Sequence, residues 1–484
     1  MITKLLHAAA RWSPGLAAQV KPALLPIIAA ASRLAQFSPR DFMLMHWQLA
    51  RQLSSKTGAA GRLTRAAAQA SAPGIGARAI GNRIIMLVVS DLWNDPRVER
   101  EALALARAGY LVEVLCPDLA NPEGSKPVPE WGEGITIRLI PREAASFCVE
   151  RPGFIAGHMF DAAMKVIGPK PPLAFHGHDL NTCLAALAAA RLTGAHFVAD
   201  FHEWTSENVH WDPASQAWQP YPEDWKAELQ ALEARVLREA SAVITVCDSI
   251  AEALSSELGA GRRVHVIRNI PTLSTVPTKD YPPLKAQLSL PESQFVLLWQ
   301  GGTGPTRLIE PIIRALEFAP NCVLVIRGPS LDIFGDAYRA VAATAGSADR
   351  LILIDPVTSR DVVVAARGAD AGIWTLPNLC RNFTYALPNK IFEYTASNLA
   401  LLVADYPEAR RVVDTHSIGL TFEPYEPLSI AAAINRLINE PGLAESFRAN
   451  TFAALKSIDA EGEWQKLAAL YDALPRALQA ESRS

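Results

Sequence analysis

Glu393 and Lys390 stand three residues apart in the segment YALPNKIFEYTASNLALLVADYPEARR, residues 385–411, and the pattern around them gives the pair a chemical use. Pro388 suits the first turn of a helix, and Ile391, Phe392 and Thr395 give that helix an apolar side. Glu393 then lies about one and a half turns in, within reach of a ligand docked at the helix mouth. LALLVA, 399–404, is the continuous apolar run of a parallel strand covered on both faces, and Asp405 with Pro407 opens the next helix. A lone carboxylate beside a helix N-terminus that follows a loop is a place where a phosphorylated ligand can be held. Taken singly, Glu393 reads more readily as a solvated helix carboxylate; for Lys390 the competing reading is a surface salt bridge to Glu393, worth little.

Other loops offer matching chemistry. WQGGTGPTR, 299–307, places Gly301 and Gly302 after a strand and then Arg307, whose guanidinium can fork onto a phosphate. HGHDLNT, 176–182, ends a strand on His178 and Asp179; Asp179 can orient an imidazole or cap the helix that begins LNTCLAALAAA. DFHEW, 200–204, ends another strand on His202 and Glu203, and SDLWNDPR opens the first loop with Asn94, Asp95 and Arg97.

The intervening sequence must position these loops, and it alternates strand and helix patterns. RIIMLVVSD (83–91) reads as a buried strand. Pro96 to Ala108 reads as an amphipathic helix with Val98, Leu103 and Leu105 inward, stopped by Gly109, and YLVEVLCP returns as a strand. Such a unit is a right-handed parallel crossover. ITIRLI, LAFHGHD, HFVADFHE and AVITVC continue the series up to a proline-rich link containing Pro271, Pro277, Pro282, Pro283 and Pro291. FVLLWQGG starts a second series with NCVLVIRG, LILIDP, AGIWTLP and LALLVAD. The expected fold is α/β: two doubly wound Rossmann-like domains, 83–285 and 286–484, facing a cleft at their strands' carboxyl ends, behind a helical extension and linker, 1–82.

In order and spacing these motifs resemble the GT-B fold glycosyltransferases of the retaining, family 4 (group 1) type, over almost all of 83–475. The resemblance implies a hexosyl-transferring enzyme that moves a sugar from a nucleotide-sugar donor to a saccharide or lipid-linked acceptor with retention of configuration. It implies that Glu393 takes the donor ribose, that Gly301, Gly302, Arg307 and Lys390 serve the donor phosphates, and that His178 contacts the transferred sugar with Asp179 beside it. Asn94, Asp95, Arg97, His202 and Glu203 then fall on the acceptor side. The usual pattern has a second Glu eight residues before Glu393, where this chain has Tyr385; an Arg directly after the first glycine, where it has Gly302; and a Lys five residues later, where it has Arg307. Charge that grows on the leaving diphosphate is best met by fixed cations, so Arg307 and Lys390 carry that role. A sugar-nucleotide epimerase or hydrolase of the same architecture, or a non-catalytic scaffold, are the alternatives.

Composition narrows the partners. The chain has 484 residues, half of them hydrophobic, which exceeds one ordinary core. The six cysteines are scattered without a CxxC pair, and no His/Asp/Glu set has metal-ligand spacing, so neither a disulfide framework nor a metal or other cofactor is expected. Residues 1–82 carry ten Lys or Arg and one acid, Asp41, a balance of +9; the net charge of −3 then leaves −12 on residues 83–484. A basic arm with the apolar run LLPIIAAASRLAQF on an acidic body points to docking of residues 1–70 on an anionic membrane surface, at its cytoplasmic face. The run is too short and too interrupted for a transmembrane span. Nucleic acid is excluded by the acidic body and by the lack of aromatic interleaving in the arm.

Overall fold

The computed structural model describes residues 81–476, with 75, 76 and 79 before them, apart from 94, 119–125, 141–151, 169, 213, 214, 216, 260 and 272–279. The basic extension and its membrane-facing run therefore lie outside the described residues, as does Asn94. Among the described residues no helix is long and apolar enough to cross a membrane.

The apolar runs become two parallel sheets. The first contains β1 (Arg83–Leu87), β2 (Leu111–Pro117), β3 (Ile135–Ile140), β4 (Ala174–His178) and β5 (His196–Phe201). A short antiparallel hairpin, β6 (Val209–Asp212) and β7 (Ala217–Pro220), interrupts the series before β8 (Ala242–Thr245) and β9 (His265–Val266). The order across this sheet is β3-β2-β1-β4-β5-β8-β9. The second comprises β10 (Phe295–Gln300), β11 (Cys322–Arg327), β12 (Leu351–Ile354), β13 (Ala371–Trp374), β14 (Ala400–Ala404) and β15 (Gly419–Phe422), ordered β12-β11-β10-β13-β14-β15. Each sheet starts at its centre, builds outward one way, then reverses. The reversals fall between β1 and β4 and between β10 and β13, and a ligand crevice opens outside the strand ends at such points. Every residue of β4, β5, β11 and β14 is buried, as strands covered on both faces must be.

Four helices place the loops. Helix α1 (Pro96–Arg107) buries Val98, Ala102 and Leu105 on the first sheet, and Gly109 at φ +88° releases the chain into β2. Leu103, expected inward, is half-buried. Helix α2 (Asp179–Thr193) follows β4 directly, and α3 (Asn389–Ala396) carries Lys390 and Glu393. Tyr394 fixes α3 to its sheet: its hydroxyl accepts from Gln300 N at 2.8 Å and donates to Ile373 O at 3.3 Å. The ring lies so close to β13 that a Cβ on Gly372 would come within 2.3 Å of it. The last helix, α4 (Ala460–Asp472), returns to the first sheet, where Trp464, Leu467 and Tyr471 join the core formed by β1, β2 and α1.

Candidate active site

The second domain's half of the site is a glycine loop over which two cations fold. Beyond β10, Gly301 adopts φ +140°, and a Cβ there would lie 2.4 Å from Lys390 Cε. At Gly302 a Cβ would lie 2.9 Å from Arg307 Nε. The missing side chains are what let both cations approach the loop backbone, so Gly302, in the place of the usual arginine, makes room for Arg307. Trp299 Nε1 donates to Gly302 O at 3.1 Å, and Gly304 N donates to Tyr338 Oη at 2.8 Å, holding the loop. Lys390 Nζ donates to Glu393 Oε2 at 3.0 Å, with the carboxylate nearly buried. Pro388 proves to be the N-cap of α3, one residue before the helix, and gives no side-chain capping bond, so an anion can take that place.

Gly301→Ala is expected to weaken nucleotide binding in calorimetry, because the methyl group displaces Lys390 and the backbone angle costs a residue with a Cβ about 1–3 kcal/mol. Wild-type affinity in a folded variant would show that the position of Lys390 over the loop does not matter.

The first domain's half is a polar network at the ends of β4 and β5. Asp179 does not cap α2; it sits at φ +58°, and its Oδ1 accepts from His202 N at 2.8 Å. Its Oδ2 lies 3.6 Å from His202 Nδ1, while His202 Nε2 is 3.1 Å from both Asp200 Oδ2 and His178 Nδ1. Burial favours the neutral His202 ring, but Asp179 and then Asp200 outweigh it and push its pKa up to about 9. His178 is held well below the usual histidine range by burial and then by His176, so it is neutral. Its Nε2 is buried without a partner among the described residues. Glu203 is exposed and accepts from Asn208 Nδ2 at 2.6 Å. Burial holds the Arg307 guanidinium below its ordinary range, opposed by the Glu203 carboxylate of the first domain.

Two expected acceptor-side residues have structural work. Asp95 caps α1 by accepting from Val98 N at 3.2 Å. Arg97 is buried, with Nη2 donating to Asp200 Oδ1 and Oδ2 at 2.9 and 3.0 Å and Nη1 donating to Ile267 O at 3.1 Å. Burial opposes the charge on Asp200, yet Arg97 beside it holds this carboxyl well below the carboxylate range; Glu101, also on α1, is pushed well above it by burial.

Several participants escape a sequence reading. Tyr385, in place of the usual acid, joins a clasp between the domains in which the Arg381 guanidinium lies 4.3 Å from the Trp204 ring and 5.3 Å from that of Tyr385. Arg381 also binds Glu257 through two bonds, 2.8 and 2.6 Å long, and Trp204 N donates to Asn382 Oδ1 at 2.9 Å. Glu101, His176 and Asp200 are equally unforeseen, although HGHD and DFHEW held two of them; four potential metal-ligand atoms, on Glu101, His176, His178 and Asp200, lie within 4.8 Å of one another.

Two doubly wound domains meeting at their switch points define the GT-B architecture. Residues 95–269 match the family of glycosyl transferase 4-like domains. Among solved structures, sucrose-phosphate synthase of Thermosynechococcus elongatus superposes with a TM-score of 0.63 at 16% identity, over 81% of this chain and 98% of that one. HepE of Anabaena, in complex with UDP and glucose, gives 0.58 at 14% identity over 81% and 100%. WaaG, a glycosyltransferase involved in lipopolysaccharide biosynthesis, gives 0.55 at 13% over 81% and 100%. At such identities the likeness is one of fold. Among curated proteins, none matches the chain. Residues 95–269 thus match a glycosyl transferase 4-like domain, and the chain shares the GT-B fold of these structures.

Proposed function

We propose that the protein transfers a hexosyl unit from a nucleotide sugar to a saccharide or lipid-linked acceptor, with retention of configuration. The observation that carries this reading is the double cradle at Gly301 and Gly302, where Lys390 and Arg307 converge beside Glu393 at the second domain's switch point. A nucleoside diphosphate fits this arrangement, with its ribose hydroxyls on Glu393 and its phosphates between the two cations and the first turn of α3. HepE, of the same fold, is seen with UDP and with UDP-glucose, which supports a nucleotide-sugar donor. As the glycosidic bond breaks, negative charge gathers on the leaving diphosphate, and Arg307 and Lys390 stabilise it without a metal ion at that position. His178, neutral and with Nδ1 against His202, offers Nε2 as a donor to the sugar, while His202 and Glu203 face the acceptor.

Screening nucleotide sugars for protection against thermal unfolding tests this. A bound donor at about one hundred times its dissociation constant adds about 2.7 kcal/mol of stability; no protection by any nucleotide sugar contradicts it. Arg307→Ala and Lys390→Ala are each expected to lower kcat more than they lower affinity for the bare nucleoside, because the charge they meet develops in the transition state. Full turnover in both variants would remove the electrostatic role.

The N-terminal arm is assigned to docking at the inner face of an anionic membrane. Deleting residues 1–70 is expected to abolish salt-sensitive binding to anionic vesicles, since each basic residue near such a surface contributes about 1 kcal/mol. The contact of Gly76 N with Ala195 O, at 2.9 Å, survives that deletion, so the body should still fold and bind nucleotide. Aggregation of the truncated chain would place the arm in the core or in a subunit interface instead.

A further inference from the structure

The cluster behind the ends of β4 and β5 is where buried polar atoms most lack an answer. Glu101 on α1, His176 and His178 on β4 and Asp200 on β5 are each at most 1% exposed. His176 Nε2 lies 3.8 Å from both Glu101 Oε2 and Asp200 Oδ2. His178 Nδ1 lies 3.8 and 3.6 Å from the same two oxygens. Bonds of about 2.1 Å to one tetrahedral metal ion separate its ligand atoms by about 3.4 Å. All four atoms lie within 4.8 Å of one another, and closing on a single ion takes a contraction together with a turn of the two imidazoles, which are stacked at 13° with centroids 4.3 Å apart.

Two further observations point to an occupant. Among the described residues His176 Nε2 and Glu101 Oε2 have no hydrogen-bond partner, and each such buried atom costs about 1–3 kcal/mol if nothing fills the space. The remote atoms of the same side chains are held as the outer shell of a metal centre holds its ligands. His176 Nδ1 is 2.8 Å from Tyr471 Oη; Arg97 binds both oxygens of Asp200, and its Nε lies 3.0 Å from Glu101 Oε1.

We propose that Glu101, His176, His178 and Asp200 bind a divalent transition-metal ion of the zinc class. Two imidazoles and two carboxylates suit such an ion, whereas magnesium and calcium take oxygen ligands. The two carboxylates neutralise the ion, and the charge of Arg97 rests on both Asp200 oxygens, on Glu101 Oε1 and on Ile267 O. The ion ties α1 to β4 and β5 and, through Tyr471, to α4 from the far end of the chain. It lies on the first domain, apart from the loop of Arg307 and Lys390; with His178 Nδ1 on the ion, His202 Nε2, 3.1 Å from that atom and from Asp200 Oδ2, keeps only the Asp200 contact, and His178 Nε2 stays unligated. The competing occupant is a proton shared between Glu101 and Asp200, which needs no metal.

Elemental analysis of full-length protein purified without chelator, followed by chelator dialysis and reloading with Co2+, distinguishes the two. The ion predicts about one zinc per chain, a Tm lowered by chelation and restored by Zn2+, and the visible absorption of tetrahedral Co2+. His176→Ala should lose both metal and spectrum, and Tyr471→Phe should weaken metal affinity about 10- to 100-fold. If His176→Ala fails to fold, the wild-type Co2+ titration decides alone. Metal-free wild-type protein in which neither Zn2+ nor Co2+ moves Tm or produces absorption bands overturns the proposal and leaves the shared proton.

Discussion

Wild-type protein is expected to lose about 3 kcal/mol of stability, relative to a Glu233→Gln variant, as pH rises from about 4.5 to about 8. Glu233 is fully buried, accepts from Ser206 N at 2.9 Å and from Ser206 Oγ at 2.6 Å, and so braces the turn that follows His202 and Glu203. Burial, opposed by the Ser206 bonds, pushes its pKa up to about 7 from an ordinary 4.5. The folded state therefore binds this proton more tightly than the unfolded chain. That contribution is fully present below the unfolded pKa and is lost as pH climbs through the folded one. Glutamine keeps an oxygen for Ser206 N but cannot ionise, so subtracting its denaturation free energies from those of the wild type isolates one group. Parallel stability profiles for the two proteins would mean that Glu233 does not hold a proton in the fold.

The second large effect is on binding. Glu393→Ala should weaken nucleotide binding roughly 10- to 150-fold, because hydrogen bonds to a charged acceptor contribute about 1.5–3 kcal/mol. The Lys390 contact complicates the experiment, since removing Glu393 also frees a cation that can move toward phosphate. A nucleotide lacking both ribose hydroxyls separates the two effects: it should bind the wild type as poorly as the full nucleotide binds the variant, and the variant should not discriminate between them. Retained discrimination would place the ribose elsewhere.

Much of this was legible in the sequence. The eleven strands expected from apolar runs all form, the central ones because a strand buried on both faces admits little besides β-branched and aliphatic residues, and the edge strand ITIRLI at its expected bounds with Thr136 and Arg138 alternating to the exposed side. RIIMLVVSD ends earlier, at Leu87. The strand GLTF, the hairpin β6–β7 and the two-residue β9 escape a sequence reading, being at most four residues long and mostly half-buried or exposed, with too few alternations for a period to show. Glu393, Lys390 and Arg307 stood out because one helix and one loop place them locally. Glu101 with Asp200, and Trp204 with Arg381, did not: only the packing of α1 on the ends of β4 and β5 and the docking of one domain on the other bring such distant residues together. Asp179 read as a cap because its type and position fit one, but the N–H of His202 on the neighbouring strand end competes for the same carboxylate and takes it.

A crystal structure of the full-length protein with the nucleoside diphosphate that most stabilises it tests the donor site most directly. The ribose hydroxyls are expected on the Glu393 carboxylate, and the diphosphate between Arg307, Lys390 and the start of the helix at Asn389. A nucleotide bound elsewhere, with Glu393 still paired only to Lys390, would contradict the assignment.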